Sequence, residues 1–300
     1  MNGAKINLKE SIIKTLAYSD IFDYPLAENE IRKFLIECSA KKITLKKELK
    51  NISVISKKNK FYCFKNRTEI INKRMDREKE SLLKFKFAKK IIFKLSLIPT
   101  VQLIGISGAL SMNNCEKDDD IDLFIITSKK TLWTTRLFLI FLLEIMGKRR
   151  KRLEEDTKDK ICLNFLIDES SIGFIKKRQD LYTAHEIIQL IPIFERNNMY
   201  KKFINSNYWI KNFLPNFEFK RKIKHDNKSF INSLLFYILY FIMRFPSFEW
   251  FAKIIQFQFM KKHITKEIIS NNFLAFHPND QRKKTLDLFN KKLKIYLNTN

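Results

Sequence analysis

Glycine and proline are scarce in this chain, with five and six residues respectively in 300, and there are only four cysteines and four histidines. Cys38, Cys63, Cys115 and Cys162 are scattered without C-x-x-C spacing, and His225, His263 and His277 show no metal-ligand spacing. Both patterns argue against a structural zinc site. The opening MNGAKINLKE has no apolar stretch resembling a secretory signal, so a reduced, cytoplasmic protein is expected. No internal repeat is evident. Clean long apolar runs are missing too. Leu132 to Met146 is interrupted by Arg136 and Glu144, and Phe230 to Phe245 by Asn232, Ser233 and Arg244. Each falls short of the roughly 20 residues that a membrane span requires, so no transmembrane segment is expected. Core helices are expected at both runs, with a surface-lying amphipathic helix as the alternative at the second.

A chain of this length with 45% apolar and 30% charged residues excludes disorder and fibres and points to about two domains. Packing alone can stabilise a core of that size. The net charge is +26, and 45 of the 58 basic residues are lysine. Such a charge suits a polyanionic partner, whether nucleic acid, nucleotide or acidic membrane surface. The accompanying wealth of Ile, Asn and Phe equally suits the compositional bias of an AT-rich genome.

Residues 1–66 read as a small domain. Ile12, Ile13 and Leu16 space one helix, Ile31, Phe34 and Leu35 a second, and Ile43, Leu45 and Leu49 a third. Val54-Ile55 and Phe61-Tyr62-Cys63-Phe64 then flank a polar tip as a hairpin. This is the order of a winged helix. Lys41 to Lys60 holds eight lysines and one acid, Glu48, which invites nucleic-acid binding. The same segment lacks arginine and any Asn or Gln cluster, the usual readers of base edges. Residues 67–97 form a charge-rich linking helix. Residues 98–176 form a small α/β unit with strands at Val101–Ile106, Ile121–Ile126 and Ile161–Ile167, and residues 177–300 are expected to be helical nearly to the end. The fold class is α+β.

The chemistry lies in Gly105-Ile106-Ser107-Gly108-Ala109-Leu110-Ser111, followed by Asp120-Ile121-Asp122-Leu123. A strand ending in a Ser-Gly turn that opens a helix presents backbone amides to phosphate, and Gly108 lets a triphosphate come close. The Ser107 and Ser111 hydroxyls could add donors. Residues two apart on a strand share a face, so Asp120 and Asp122 point into one cleft while Ile121, Leu123 and Ile125 face the core. Paired carboxylates suit magnesium, and two such ions support phosphoryl transfer.

These residues resemble the signature of the polymerase β-like nucleotidyltransferase superfamily, a hydrophobic-Gly-Gly/Ser turn followed by Asp-hydrophobic-Asp/Glu. Ser107-Gly108 reverses the usual Gly-Ser order. The segment Tyr18-Ser19-Asp20-Ile21-Phe22-Asp23-Tyr24-Pro25-Leu26 and the stretch Asp159 to Asn164 are also similar to bacterial proteins that join a winged-helix-like segment to such a domain. The resemblance implies a magnesium-dependent enzyme, with two ions on Asp120 and Asp122 and a nucleoside triphosphate at Ser107, Gly108 and Ser111, with Lys160 flanking. The enzyme would transfer a nucleoside monophosphate to an acceptor hydroxyl of a nucleic acid, small molecule or protein and release pyrophosphate. Many members carry a third carboxylate on a neighbouring strand. Asp159 is the first candidate for that role here, with Asp168 or no third acid as alternatives, because Asn164 occupies the middle of that strand. Lys129, Lys130 and His185 are further candidates for contacts to substrate. The other reading is a nucleic-acid-binding or regulatory winged-helix protein whose transferase domain is degenerate.

Overall fold

A computed structural model describes residues 7–151, 154–219, 234–261, 268–276 and 281–298. His225, His263 and His277 lie outside those residues. The chain opens with α1 (Leu8–Asp20), β1 (Leu26–Ala27), α2 (Glu28–Lys33), α3 (Lys42–Asn51), β2 (Ile55–Lys58) and β3 (Phe61–Phe64), and the three strands pair antiparallel in the order β1-β3-β2. The Asn7 side chain caps α1 by accepting from the Lys9 amide at 3.2 Å. Asn59, with φ of 56°, turns the hairpin between β2 and β3. Strand β1 is absent from the sequence reading because two residues carry no periodicity.

The remaining elements are α4 (Ile70–Leu95), β4 (Val101–Ile106), α5 (Gly108–Ser111), β5 (Ile121–Thr127), α6 (Leu132–Ile145), β6 (Ile161–Asp168), α7 (Leu181–Gln189), β7 (Ile191–Glu195), α8 (Met199–Ser206), α9 (Leu234–Met243), α10 (Pro246–Met260), β8 (Ile268–Ile269), β9 (Phe273–Ala275) and α11 (Gln281–Asn298). Six strands form one mixed sheet in the order β7-β4-β5-β6-β9-β8, in which only β5 and β6 run parallel. The chain is therefore an α+β protein.

Both faces of this sheet are covered, which is why β4 and β5 read as nearly continuous apolar runs. Ile104, Ile106, Ile121, Leu123 and Ile125 face a core shared with Ile91, Ile92 and Leu95 of α4 and Trp133, Leu139 and Leu143 of α6. Leu103, Phe124 and Ile126 face a second core. That core runs without a break into the N-terminal unit at Ile12, Leu16 and Phe34, and into α11 at Phe289 and Tyr296. Tyr296 stacks on Phe64 with ring centroids 3.5 Å apart.

The region after Arg178 is less helical than its pattern suggests. Residues Ile191–Glu195 add the edge strand β7, where Pro192 costs no interior ladder bond. Ser270-Asn271-Asn272 turns β8 into β9 on the opposite edge, a turn chemistry that the helical reading passed over. The run at 132–146 is a core helix as expected. The described part of the second run, by contrast, leaves much of its apolar surface exposed.

One buried ion pair ties the N-terminal unit to the long helix. Arg74 of α4 is 3% exposed, and its guanidinium donates to Glu30 Oε1 and Oε2 at 2.8 and 2.9 Å and to the Pro25 carbonyl. It also lies 3.9 Å from the Tyr24 ring centroid. Burial acts to raise the Glu30 carboxyl, but the bonds and charge of Arg74 outweigh it and hold the pKa below the ordinary 4.5. Arg74→Met should therefore cost about 3–5 kcal/mol in urea unfolding at neutral pH, because it strands the Glu30 charge. Glu30→Gln should also destabilise at neutral pH. The gap between wild type and that variant should close as pH falls from 4.5 through the lowered Glu30 value, since a depressed acid contributes stability only above it.

Candidate functional site

The strand pattern delivers Asp120 and Asp122 to the face opposite Ile121, Leu123 and Ile125, on the side of the sheet where the N-terminal unit packs. Opposite them, β4 ends in Ser107, and the chain turns at Gly108 with φ of +62° into the single turn of α5. The Ser107 amide donates to the Asp122 carbonyl at 3.0 Å, which locks the turn to β5. A Cβ at position 108 would stand 2.4 Å from Asp122 Oδ2. Glycine is thus required twice here, by its backbone angle and by the carboxylate beside it.

The parallel β5–β6 pair places the Cα of Cys162 opposite that of Asp122. Ligand atoms of Asp120, Asp122 and Cys162 all lie within 4.8 Å of one another, the one such cluster among the described residues. Arg150 Nη1 donates to Asp120 Oδ2 at 2.6 Å. Burial pushes the Asp122 carboxyl up to about 7 and the Asp120 charge adds to the rise, while the Cys162 thiol's hydrogen bond and Arg150 oppose it. Two crowded carboxylates of this kind gain from a divalent cation, and Mg2+ suits their oxygens.

Asp159 occupies a different place from the third-acid position anticipated for it. It sits in the turn before β6 with φ of 56°, and Lys84 Nζ reaches its carboxylate at 3.3 Å. Asp159, two residues before β6, turns the chain, whereas the residue paired with Asp122 is Cys162. Asp168 closes the far end of β6, where it is buried and accepts from the amides of Ser170 and Lys130 at 2.9 and 3.1 Å. Lys129 and Lys130 lie at that same far end, after β5. Lys160 Nζ pairs with Glu154 at 3.1 Å, and the residue lines neither cavity described below. The serine hydroxyls are engaged locally, Ser111 with the Gly108 carbonyl at 2.8 Å and Ser107 with the Asp122 carbonyl at 3.4 Å.

Two cavities open beside the cluster. One, of about 490 Å3, has Gly108, Asp122, Arg150 and Cys162 at one end and Tyr18, Phe34 and His185 on its walls. The other, of about 500 Å3, runs from Ser107 past Phe124, Phe165 and Phe174 to Arg178. Asn164, Tyr182, Glu186 and Gln281 border both. Glu186 is thus the acid that α7 brings to the site, and burial pushes it up to about 7 with the Asp122 charge adding. Its neighbour His185 stacks on Tyr18 at 4.0 Å, and burial pushes the imidazole down to about 3, so it is neutral at physiological pH. His185 Nε2 is buried without a hydrogen-bond partner.

Arg150, Cys162 and Glu186 are the site residues that sequence reasoning missed. The only signal for Cys162 was strand register, and the signal for Glu186 was the one charged residue in Leu-Tyr-Thr-Ala-His-Glu-Ile-Ile. Gly108→Ala should displace the Asp122 carboxylate and weaken divalent-cation binding by at least about tenfold in calorimetry, with about 1–3 kcal/mol of added backbone strain. An unchanged cation affinity would show that the turn and the carboxylate are independent. No family model, no curated protein and no solved structure matches this chain.

Proposed function

We propose that this chain is a magnesium-dependent nucleotidyltransferase of the polymerase β-like kind, with a winged-helix-like N-terminal unit and a C-terminal region that completes the cleft. The observation that carries this reading is the contact of the Ser107-Gly108 turn with Asp122 at the mouth of two cavities. The oxygen donors of Asp120 and Asp122 fit Mg2+, and the cluster already holds a positive group, the Arg150 guanidinium on Asp120. Bound there, the metal would neutralise phosphate charge and lower the pKa of an attacking hydroxyl.

The chain's own groups supply the rest. Gly108 leaves room for phosphate oxygens beside Asp122, and Arg150 offers a guanidinium to the same charge. The aromatic walls exclude water from a bound nucleoside and strengthen the local electrostatics. Glu186, bordering both cavities, is placed to accept the proton that the acceptor hydroxyl loses as it attacks the α-phosphorus and pyrophosphate departs. The four free thiols support a reducing, cytoplasmic setting.

One observation also favours nucleic acid as a partner. Helix α3 exposes Lys42, Lys46, Lys47 and Lys50 while burying Leu45 and Leu49, and the helix–strand–helix–helix–strand–strand order around it supports the winged-helix reading. The same unit lends Tyr18 and Phe34 to the cleft, so its lysines and its cleft face can serve one substrate.

Thermal melts with Mg2+ and each of the four nucleoside triphosphates test the main reading. One triphosphate should stabilise the wild type by about 2.7 kcal/mol at a hundredfold excess over its Kd. The Asp120→Asn, Asp122→Asn double variant should lose that stabilisation while keeping its fold. No stabilisation of the wild type by any triphosphate would remove the proposal. Duplex binding, measured by anisotropy at two salt concentrations, tests the second. It should weaken with salt and fall at least about tenfold in a Lys46→Glu, Lys47→Glu variant, whereas undiminished binding there would dismiss α3 as the contact.

A further inference from the structure

Helices α9 and α10 form a hairpin that leaves most of its large apolar side chains exposed. Helix α9 attaches through Phe236 and Met243, seven residues apart and therefore on one face. The Phe236 ring lies 5.1 Å from the Arg196 guanidinium, and Met243 Sδ lies 4.0 Å from Thr100 Oγ1. Helix α10 attaches through Ala252, buried in the core beneath it, and through polar groups. The Glu249 carboxylate accepts from the Trp133 and Thr134 amides at 2.9 and 2.8 Å, in the first turn of α6. Gln256 Oε1 accepts from Arg136 at 2.6 Å, and its Nε2 donates to the Trp133 carbonyl at 2.8 Å. These polar groups bond to one another at the contact with α6, while most of the large apolar side chains of the two helices are exposed.

The outer surface carries Leu234, Phe241, Phe245, Trp250, Phe251 and Phe259, each between 55% and 76% exposed. Of the 24 large apolar side chains exposed among the described residues, 11 fall between 234 and 259. An apolar stripe normally faces the core, so a patch this concentrated marks a surface that another phase or molecule covers.

Charge and length identify the cover. Arg244 is exposed at the bend of the hairpin and Lys261 at its end. In sequence, Lys220, Arg221, Lys222 and Lys224 precede the hairpin and Lys262 and Lys266 follow it. Aromatic rings bordered by basic residues are the composition that anionic lipid headgroups attract. A second copy would bring another +26 charge against this one, whereas an anionic bilayer neutralises it. The helices have 10 and 15 residues, which at about 1.5 Å per residue is too short to cross a hydrocarbon layer of about 30 Å. No helix among the described residues is long and apolar enough to cross a membrane. We propose that the α9–α10 hairpin lies in the plane of an anionic membrane surface, with its aromatic face in the headgroup and upper acyl region.

The test is flotation of the full chain with vesicles of phosphatidylcholine, with and without about one quarter phosphatidylserine. The wild type should float with the anionic vesicles at least about tenfold more strongly than with the neutral ones, and less so in high salt. Brominated acyl chains should quench its tryptophan emission, and Trp250→Phe should float but lose most of that quenching, since Trp133 is buried and Trp209 is half-buried against the core away from the hairpin. A Phe241→Glu, Phe259→Glu variant, both sites being exposed, should melt like the wild type and bind vesicles at least about tenfold more weakly. No flotation of the wild type at low salt would overturn the proposal, as would undiminished flotation of the Phe→Glu variant. A dimer that this variant dissolves, with vesicles left unbound by the wild type, would assign the face to a second copy of the chain. These readouts are independent of nucleotide binding.

Discussion

The approach of the Gly108 backbone to the Asp122 carboxylate is the contact around which the cleft is arranged. A methyl group at position 108 would collide with Asp122 Oδ2, so the turn after β4 and the carboxylates of β5 can coexist only with a glycine between them. The Ser107 amide bond to the Asp122 carbonyl holds the two strands together at that level. Everything else in the site is set relative to β5: Cys162 by parallel register, Arg150 by its bond to Asp120, and Glu186 by the packing of α7 across the opening. With five glycines in the chain, one at this position is informative.

The walls of the cleft come from segments far apart in sequence. Tyr18 and Phe34 belong to the N-terminal unit, Tyr182 and Glu186 to α7, and Gln281 and Thr285 to α11. One apolar core underlies these pieces, running from Ile12 through Phe124 to Tyr296, so the N-terminal unit and the sheet share their packing. The acids around the cleft are a local exception in a chain of net charge +26. A polyanion drawn to the general surface would meet a site whose own negative charge is offset in part by Arg150.

The parts of the fold that repeat with a clear period were legible in the sequence. Alternation in Ile121-Asp122-Leu123-Phe124-Ile125 separates the two faces of β5, and apolar spacing locates α1, α3, α4 and α6. Short elements were not legible. Strand β1 has two residues, β8 and β9 have two and three, and β7 contains a proline that reads as a break. The Ser-Gly turn and the Asp-x-Asp strand are contiguous motifs, so local reasoning finds them. Cys162 and Glu186 reach the site through register and tertiary packing, which spacing along the chain does not encode. Asp159 is an acid close before β6, yet it lies three residues ahead of Cys162, the residue paired with Asp122, in a left-handed turn outside the strand where it meets Lys84.

The return of α11 to α1 has a consequence for how the molecule is made. Phe289 meets Tyr18 and Tyr296 stacks on Phe64, so residues synthesised long after the N-terminal unit complete its packing. A nascent chain that has finished β3 still exposes the surface that α11 will cover, including the Tyr18 region that borders the cleft. Closing so wide a loop is slow compared with forming local helices. The cleft therefore has no complete wall during most of translation, and it acquires one in the same late step that seals the core. Chains interrupted before residue 281 would carry the Asp120 and Asp122 carboxylates on a sheet without the enclosure that makes them a site.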